Sequence, residues 1–361
     1  MSLRTPAQLR ARGLIGADDL VAVERVVARF AASITEELVE LVHPDDPDDP
    51  IAAQFVPHAR ELEVRPEELG DPIGDGVHTP VPGVVHRYPD RVLLKPLTVC
   101  PVYCRFCFRR EQVGPKRDVG PDSGGSVILG EAELDAALAY IREHTEIWEV
   151  ILSGGDPLIL APTKLRRLLV ALDAIEHVRV IRIHTRVPVV DSRRIDAALL
   201  DALDVATTVY VVLHTNHPRE LTPAAARACA SLVDAGIPML AQTVLLRGVN
   251  ADAEVLEGLF RRLVELRVKP YYLHHGDLAE GTAEFRTSLS EGQALVRALR
   301  GRVSGLCQPT YVLDIPGGHG KVPVGPSYLE RADADPGSER WLVEDIAGQR
   351  HRYPPVSDEP S

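Results

Sequence analysis

The sequence predicts a parallel α/β fold, an open and curved partial barrel of six βα units, on three observations. Short apolar segments rich in β-branched residues alternate with amphipathic helical patterns from about residue 92 to residue 314. The number of units falls short of the eight that close a full barrel. Glycine- and acid-bearing loops stand at strand after strand, on the carboxyl side, where parallel barrels keep their chemistry.

The first 70 residues read as an N-terminal helical extension. Residues 20–30 place apolar side chains at helical spacing, with Asp18 or Asp19 at the start. Residues 43–50 hold Pro44, Pro47 and Pro50, which remove amide donors and force extended backbone, so this stretch reads as a linker. A short helical piece is expected over 51–70. Residues 71–83 are turn-rich, and a strand from Val92 leads to a cysteine-bearing loop. Residues 111–130, rich in Gly, Pro and Asp, read as a long loop. Strands are then expected over 148–152, 178–184, 207–213, 238–245, 268–274 and 309–314. Helices are expected between and after them, over 131–144, 163–174, 193–203, 220–235, 252–267 and 289–302. The barrel thus occupies 71–324, and 325–361 is a polar C-terminal tail.

Composition narrows the function classes. The 361 residues carry 40 Lys and Arg against 52 Asp and Glu, a net charge of −12, which on average repels nucleic acid and anionic lipid. No apolar run approaches the ~20 residues that cross a bilayer, and the N-terminus has no apolar signal core. Five cysteines, an odd number with three close together, do not form a secreted disulfide framework. The expectation is a cytoplasmic protein with neither a nucleic-acid nor a membrane partner.

Cys100, Cys104 and Cys107 are spaced C-x3-C-x2-C. Such a triad can hold three corners of a cubane iron–sulfur cluster and leave one iron open. Zinc closed by a distant histidine, or thiols filling a core, are the alternatives. Ser153-Gly154-Gly155-Asp156 follows a strand; it is either an ordinary turn or a loop whose amides reach a ligand. Lys321 ends a glycine-rich arm, 317–320, and is either a solvated residue or a Schiff-base lysine for pyridoxal phosphate (PLP). Asp277, Asp314, His184, His214 and Gln242 stand at strand ends, where caps and structural hydrogen bonds compete with ligand binding. Arg109 can fork onto a carboxylate or neutralise a cluster.

Taken together, these motifs and the stretches 82–94, 152–156, 242–250, 277–287 and 314–321 resemble the lysine 2,3-aminomutase family of PLP-dependent radical S-adenosylmethionine (SAM) enzymes. The resemblance implies a partial (β/α)6 radical SAM barrel and an isomerase that moves the α-amino group of L-lysine to carbon 3. It implies a [4Fe–4S] cluster on Cys100, Cys104 and Cys107, and SAM held by Ser153, Gly154, Gly155, Asp156, His214 and Gln242. It implies PLP on Lys321 with Arg87, Tyr88 and Arg91 nearby, the substrate carboxylate on Arg109, and its distal cation on Asp277 and Asp314. An electron donor of flavodoxin or ferredoxin type and a homo-oligomer are implied as partners. L-Arginine is the alternative substrate.

The chain also departs from the family pattern. Its tail has no cysteine, and Asp252 stands where longer members have a zinc cysteine, so no zinc is expected. His319 replaces a glycine of the arm. His274 stands in place of a tyrosine and Phe106 in place of a histidine, features of a short branch that serves elongation factor P modification. Both substrate aspartates argue against that branch.

Overall fold

A computed structural model describes residues 2–113, 128–335 and 337–355; residues 114–127 of the expected loop lie outside the described residues. One nine-stranded sheet organises them, its strands in chain order: β1 Val84–Tyr88, β2 Arg91–Leu97, β3 Glu149–Gly154, β4 Val180–Thr185, β5 Thr208–His214, β6 Met239–Val244, β7 Val268–His274, β8 Thr310–Asp314 and β9 Lys321–Pro323. Strands β2 to β8 pair in parallel, and all seven lie within a few residues of the expected positions. The sheet curls into a half-barrel with its helices packed against it. Two antiparallel edges are additional to the expected count: β1 on β2 and β9 on β8. β1 returns through a two-residue turn, and β9 is three residues long directly after the glycines, too short for alternation to announce it.

The parallel strands alternate in burial as a half-barrel requires. Val150 and Leu152, then Ile181 and Ile183, face the helices and are fully buried, whereas Arg182 and His184 face the concave side. The helix Ala253–Glu265 answers with Leu256, Leu259, Phe260 and Leu263, one stripe at helical spacing. Burying each such side chain contributes about 1.5–3 kcal/mol. Asp252 caps that helix, accepting from Glu254 N at 2.8 Å and Val255 N at 3.0 Å. The helix expected over 193–203 begins later, at Ala197, because Asp196 caps it through Leu199 N and Ser192–Arg194 forms a separate 3-10 turn.

The N-terminal residues share the barrel's core, contributing Leu9, Val27, Ile34, Leu38, Ile51 and Phe55. The proline-rich stretch is not a free linker. Asp49 is buried, caps the helix Pro50–Phe55 through Ile51 N and Ala52 N, and pairs with Arg219 at 2.7 Å. Pro50 serves as the first helical residue, where its missing amide costs nothing. Leu69 pairs in parallel with Ala279 and donates its amide to Leu278 O at 2.8 Å, and Arg29 pairs with Glu280.

The tail forms a small antiparallel sheet, Leu329–Arg331, Trp341–Glu344 and Arg350–Tyr353, joined to the helix Leu289–Leu299 by Arg297 on Glu344 and Ser327 O. Among the described residues, no helix is long and apolar enough to cross a membrane.

Glu61 is fully buried and receives both Arg105 and Arg110, themselves almost completely buried. Removing one partner of such a cluster leaves an uncompensated charge in low dielectric. Glu61→Ala is therefore expected to cost about 3–5 kcal/mol in urea denaturation, while Arg60→Ala next to it, exposed, should change stability by less than about 0.5 kcal/mol.

Candidate active site

The cysteine loop leaves the carboxyl end of β2 and is stapled from the N-terminal side. Tyr103 N donates to Ser33 O and Arg105 N to Gln54 O, each at 2.8 Å. Arg105 Nε reaches Glu61 at 2.9 Å and its Nη1 reaches Ala31 O at 2.7 Å. Arg110 donates to Gly281 O at 2.8 Å as well as to Glu61. The segment without recognisable chemistry in the sequence thus braces the chemical loop. Cys100, Cys104 and Cys107 are all free and half-buried. Burial pushes their thiols up, Cys107 to about 11, a cost that metal coordination offsets by replacing the proton. Among the described residues no three His, Cys, Asp or Glu side chains converge on a single metal ion. A three-thiol donor set spread along one loop suits a polynuclear cluster, whose ligands sit on separate irons.

The loop after β3 packs directly on the backbone of the cysteine loop. Gly155 N donates to Leu97 O at 2.8 Å and Asp156 N to Val99 O at 2.9 Å. A Cβ on Gly155 would lie 2.0 Å from Val99 O, and Gly154 adopts φ +98 with Leu97 O 2.7 Å from its missing Cβ. The glycines are therefore needed for this approach, whatever ligand their amides meet. Asp156 is engaged by protein: Thr185 Oγ1 at 2.8 and 2.9 Å, Arg186 N at 2.7 Å and Leu158 N at 3.1 Å. Through these hydrogen bonds its carboxylate ties β3 to β4. Ser153 Oγ faces Arg109 Nη1 at 3.5 Å. His214 and Gln242 are partners in register on β5 and β6. Burial holds His214 and His184 neutral, well below the usual imidazole range, and the Nε2 of each is buried without a hydrogen-bond partner. Two orphaned ring nitrogens on the concave face fit a polar ligand.

Lys321 begins β9 opposite Asp314 at the end of β8. Its Nζ pairs with Asp314 and lies 3.2 Å from His274 Nδ1, and its backbone N donates to Tyr88 Oη at 2.8 Å. Burial and the Lys321 charge lower His274 to about 4, so the imidazole is neutral; its Nε2 is a third orphan. Burial raises the Asp314 carboxyl, but neighbouring His274 and Lys321 outweigh it and hold the group well below the usual range. Asp277 has no ion pair or hydrogen bond among the described residues. Burial, with repulsion from Asp314, raises it to about 7, while Lys321, Arg109 and Arg87 pull the other way. Asp314 and Lys321 are in direct contact, and their charges, with that of Arg109, act on the buried Asp277 that follows the neighbouring strand β7.

Segment 72–78, turn-rich and silent in the sequence, joins the arm to the cysteine loop. Asp75 is buried and receives Arg109 Nε at 2.8 Å, Arg87 at 3.4 Å and Lys95 at 3.6 Å. One residue earlier, Gly74 lies against Gly317 and Gly318, its missing Cβ 2.7 Å from Gly318 N, and His78 Nε2 contacts Gly318 O at 3.1 Å. Arg87 also donates to Ile73 O at 2.5 Å, and its Nε is an orphan. Arg91 stacks on Tyr88 at 3.9 Å and pairs with Asp90 at 2.6 Å. A covalent-capable lysine, an orphaned guanidinium nitrogen and two further polar groups fit a phosphate-bearing aldehyde cofactor. Sequence reasoning missed Asp75, Glu61, Gln54, Glu220 and Arg186; the only signal was that buried arginines in a ligand loop require acids from somewhere.

A family model for the radical SAM superfamily matches residues 94–258, and one described as lysine-2,3-aminomutase matches 296–336. The chain is similar to the L-lysine 2,3-aminomutase of Clostridium subterminale, 41% identical over 307 residues, 85% of this chain and 72% of that protein. It is equally similar to that of Acetoanaerobium sticklandii, 41% identical with the same two coverages. A protein named glutamate 2,3-aminomutase from Clostridioides difficile is 36% identical over 313 residues, 87% of this chain and 72% of that protein.

A second anion disfavours ionisation of the first, so removing it must lower the pKa of Asp277. In the apo protein, Asp277 is expected to titrate near pH 7 and Asp314→Asn to move it downward. Carboxyl-band difference infrared spectroscopy, with Asp277→Asn as the blank, checks both the value and the direction.

Proposed function

The chain belongs to the lysine 2,3-aminomutase family, and we propose from that premise that it moves the α-amino group of L-lysine to carbon 3, giving L-β-lysine. The observation that carries the reading is the convergence of Asp277, Asp314 and Lys321 at the carboxyl end of the sheet, on the side reached by Arg109. When bound, a [4Fe–4S] cluster and SAM supply a hydrogen-abstracting 5′-deoxyadenosyl radical, and PLP supplies a π-system that delocalises an unpaired electron beside the migrating nitrogen.

The chain's own residues hold and orient. Cys100, Cys104 and Cys107 hold the cluster, and the loop Ser153, Gly154, Gly155 and Asp156, with His214 and Gln242, holds SAM. Lys321 carries PLP, with Arg87, Tyr88 and Arg91 toward its phosphate. Arg109, fixed through its Nε by Asp75, presents its fork to the substrate carboxylate. With Lys321 committed to PLP, Asp314 and Asp277 become two buried carboxylates without an ammonium between them. A distal ammonium on the substrate supplies the cation between them, paired with Asp314 and hydrogen-bonded to Asp277. A γ-carboxylate there would face like charge, which disfavours glutamate, although one relative bears that name. The neutral His274 fills the space beside Lys321 without adding a competing cation. The enzyme is read as a cytoplasmic homo-oligomer, with a catalytic domain over 71–324, reduced by a flavodoxin- or ferredoxin-type donor.

Anaerobically reconstituted protein with SAM, PLP and dithionite is expected to convert L-lysine to β-lysine, detected by mass spectrometry. Absence of product from both lysine and arginine, with cluster and PLP loaded, would refute an aminomutase of cationic amino acids; product from arginine alone would reassign the substrate. Lys321→Ala should abolish the PLP absorbance that borohydride fixes in the wild type. Asp277→Asn should lower kcat/KM for lysine about a hundredfold, ~3 kcal/mol, the cost of leaving a buried ammonium half paired.

A further inference from the structure

One guanidinium serves none of the roles above. Arg186 follows β4 directly, and its Nη1 lies 3.2 Å from Cys104 Sγ. Among the described residues it is the one side chain hydrogen-bonded to a sulfur of the cysteine loop. It cannot swing away. Nη2 pairs with Glu220 and approaches Gln54 Oε1 at 3.4 Å, and the group lies over the rings of Phe55 at 4.9 Å and Phe106 at 5.6 Å. Glu220 is fully buried, with Oε1 already accepting from Asn216 N and His217 N at 2.9 Å. A packing role for the Arg186–Glu220 pair would require only Nη2. Nη1 directed at sulfur is left over from that account.

We propose that Arg186 is a positioning residue that raises the reduction potential of the cluster held by Cys100, Cys104 and Cys107, by donating a charge-assisted hydrogen bond to Cys104 Sγ while Glu220 sets how much of its charge the cluster feels. The inference rests on reading the three cysteines as cluster ligands. Reduction adds one electron, drawn from a low-potential one-electron donor, and spreads negative charge over irons and sulfurs. A donor fixed on one sulfur stabilises that extra charge and so favours the reduced state. Glu220 lies on the far side of the guanidinium and opposes it. Arg105 and Arg110 are held by Glu61 and backbone carbonyls, and Arg109 donates its Nε to Asp75 with Nη1 toward Ser153, so none of these three side chains hydrogen-bonds a sulfur of the loop. Gln54 and Phe55 come from the helix Pro50–Phe55, so the N-terminal region reaches the cluster's electronics through this one side chain.

The test is a redox titration followed by electron paramagnetic resonance, on reconstituted protein without SAM or PLP, with iron and sulfide quantified. In Arg186→Met with Glu220→Gln, which leaves no buried carboxylate unpaired, the ratio of reduced to oxidised cluster at fixed poise should fall about tenfold, ~59 mV for a one-electron couple. Glu220→Gln alone should shift the potential the opposite way, and Arg186→Lys should restore part of the loss. An unchanged potential in the double variant at full cluster content would overturn the inference. So would a double variant that folds by circular dichroism yet holds no cluster, because Arg186 would then serve retention. Wild-type protein that binds no iron or sulfide would instead remove the cluster reading beneath it.

Discussion

Every cation that the cysteine loop turns inward must meet a carboxylate beyond the reach of water, and that requirement organises the site. Arg105 and Arg110 meet on Glu61 and Arg109 meets Asp75, while Arg186, reaching the loop from the end of β4, meets Glu220. Each carboxylate comes from a different segment of the chain. The ion pairs add little net stability over an apolar core of the same volume. What they supply is position: three guanidinium groups and three thiols held at the end of one strand, with each donor's direction fixed by the acid opposite it.

Asp75 shows how far one group can reach. It takes Arg109, Arg87 and Lys95, and burial, which would raise its carboxyl, is outweighed by those three charges. Gly74 beside it admits the backbone of the lysine arm at a distance no side chain would allow. The segment therefore sets the spacing between the thiols and Lys321. Arg109, Arg87 and Lys95 gather on Asp75, while Asp314 holds Lys321 and the charges of Lys321, Arg109 and Arg87 all act on the buried Asp277. His184 and His274 stay uncharged because burial and neighbouring cations disfavour a further positive charge.

Much of this was legible in the sequence, for a physical reason. A thiol triad, a glycine pair after a strand and a lysine after glycines are local patterns, because the chemistry needs those residues within a few bonds of one another. The seven parallel strands were legible because each is a short apolar run rich in β-branched residues set between helical patterns. The acids were not, since Gln54 and Glu220 meet across 166 residues and Arg105 and Glu61 across 44, with nothing nearby to mark either member. The partners of Asp156 were hidden for a related reason: Thr185 and Arg186 lie at the end of the next strand, and only the fold brings them to its oxygens. The edge strands and the tail's small sheet were too short for periodicity to distinguish them from loop.

The seat of Glu61 also bears on how the chain assembles as it is made. This residue leaves the ribosome well before Arg105 and Arg110, and the carbonyl of Gly281 that also receives Arg110 emerges 171 residues after it. Leu69 likewise waits for Leu278, and Arg29 for Glu280. The earliest part of the polypeptide therefore cannot reach its final seat until most of the half-barrel exists, and the order of synthesis is not the order of docking.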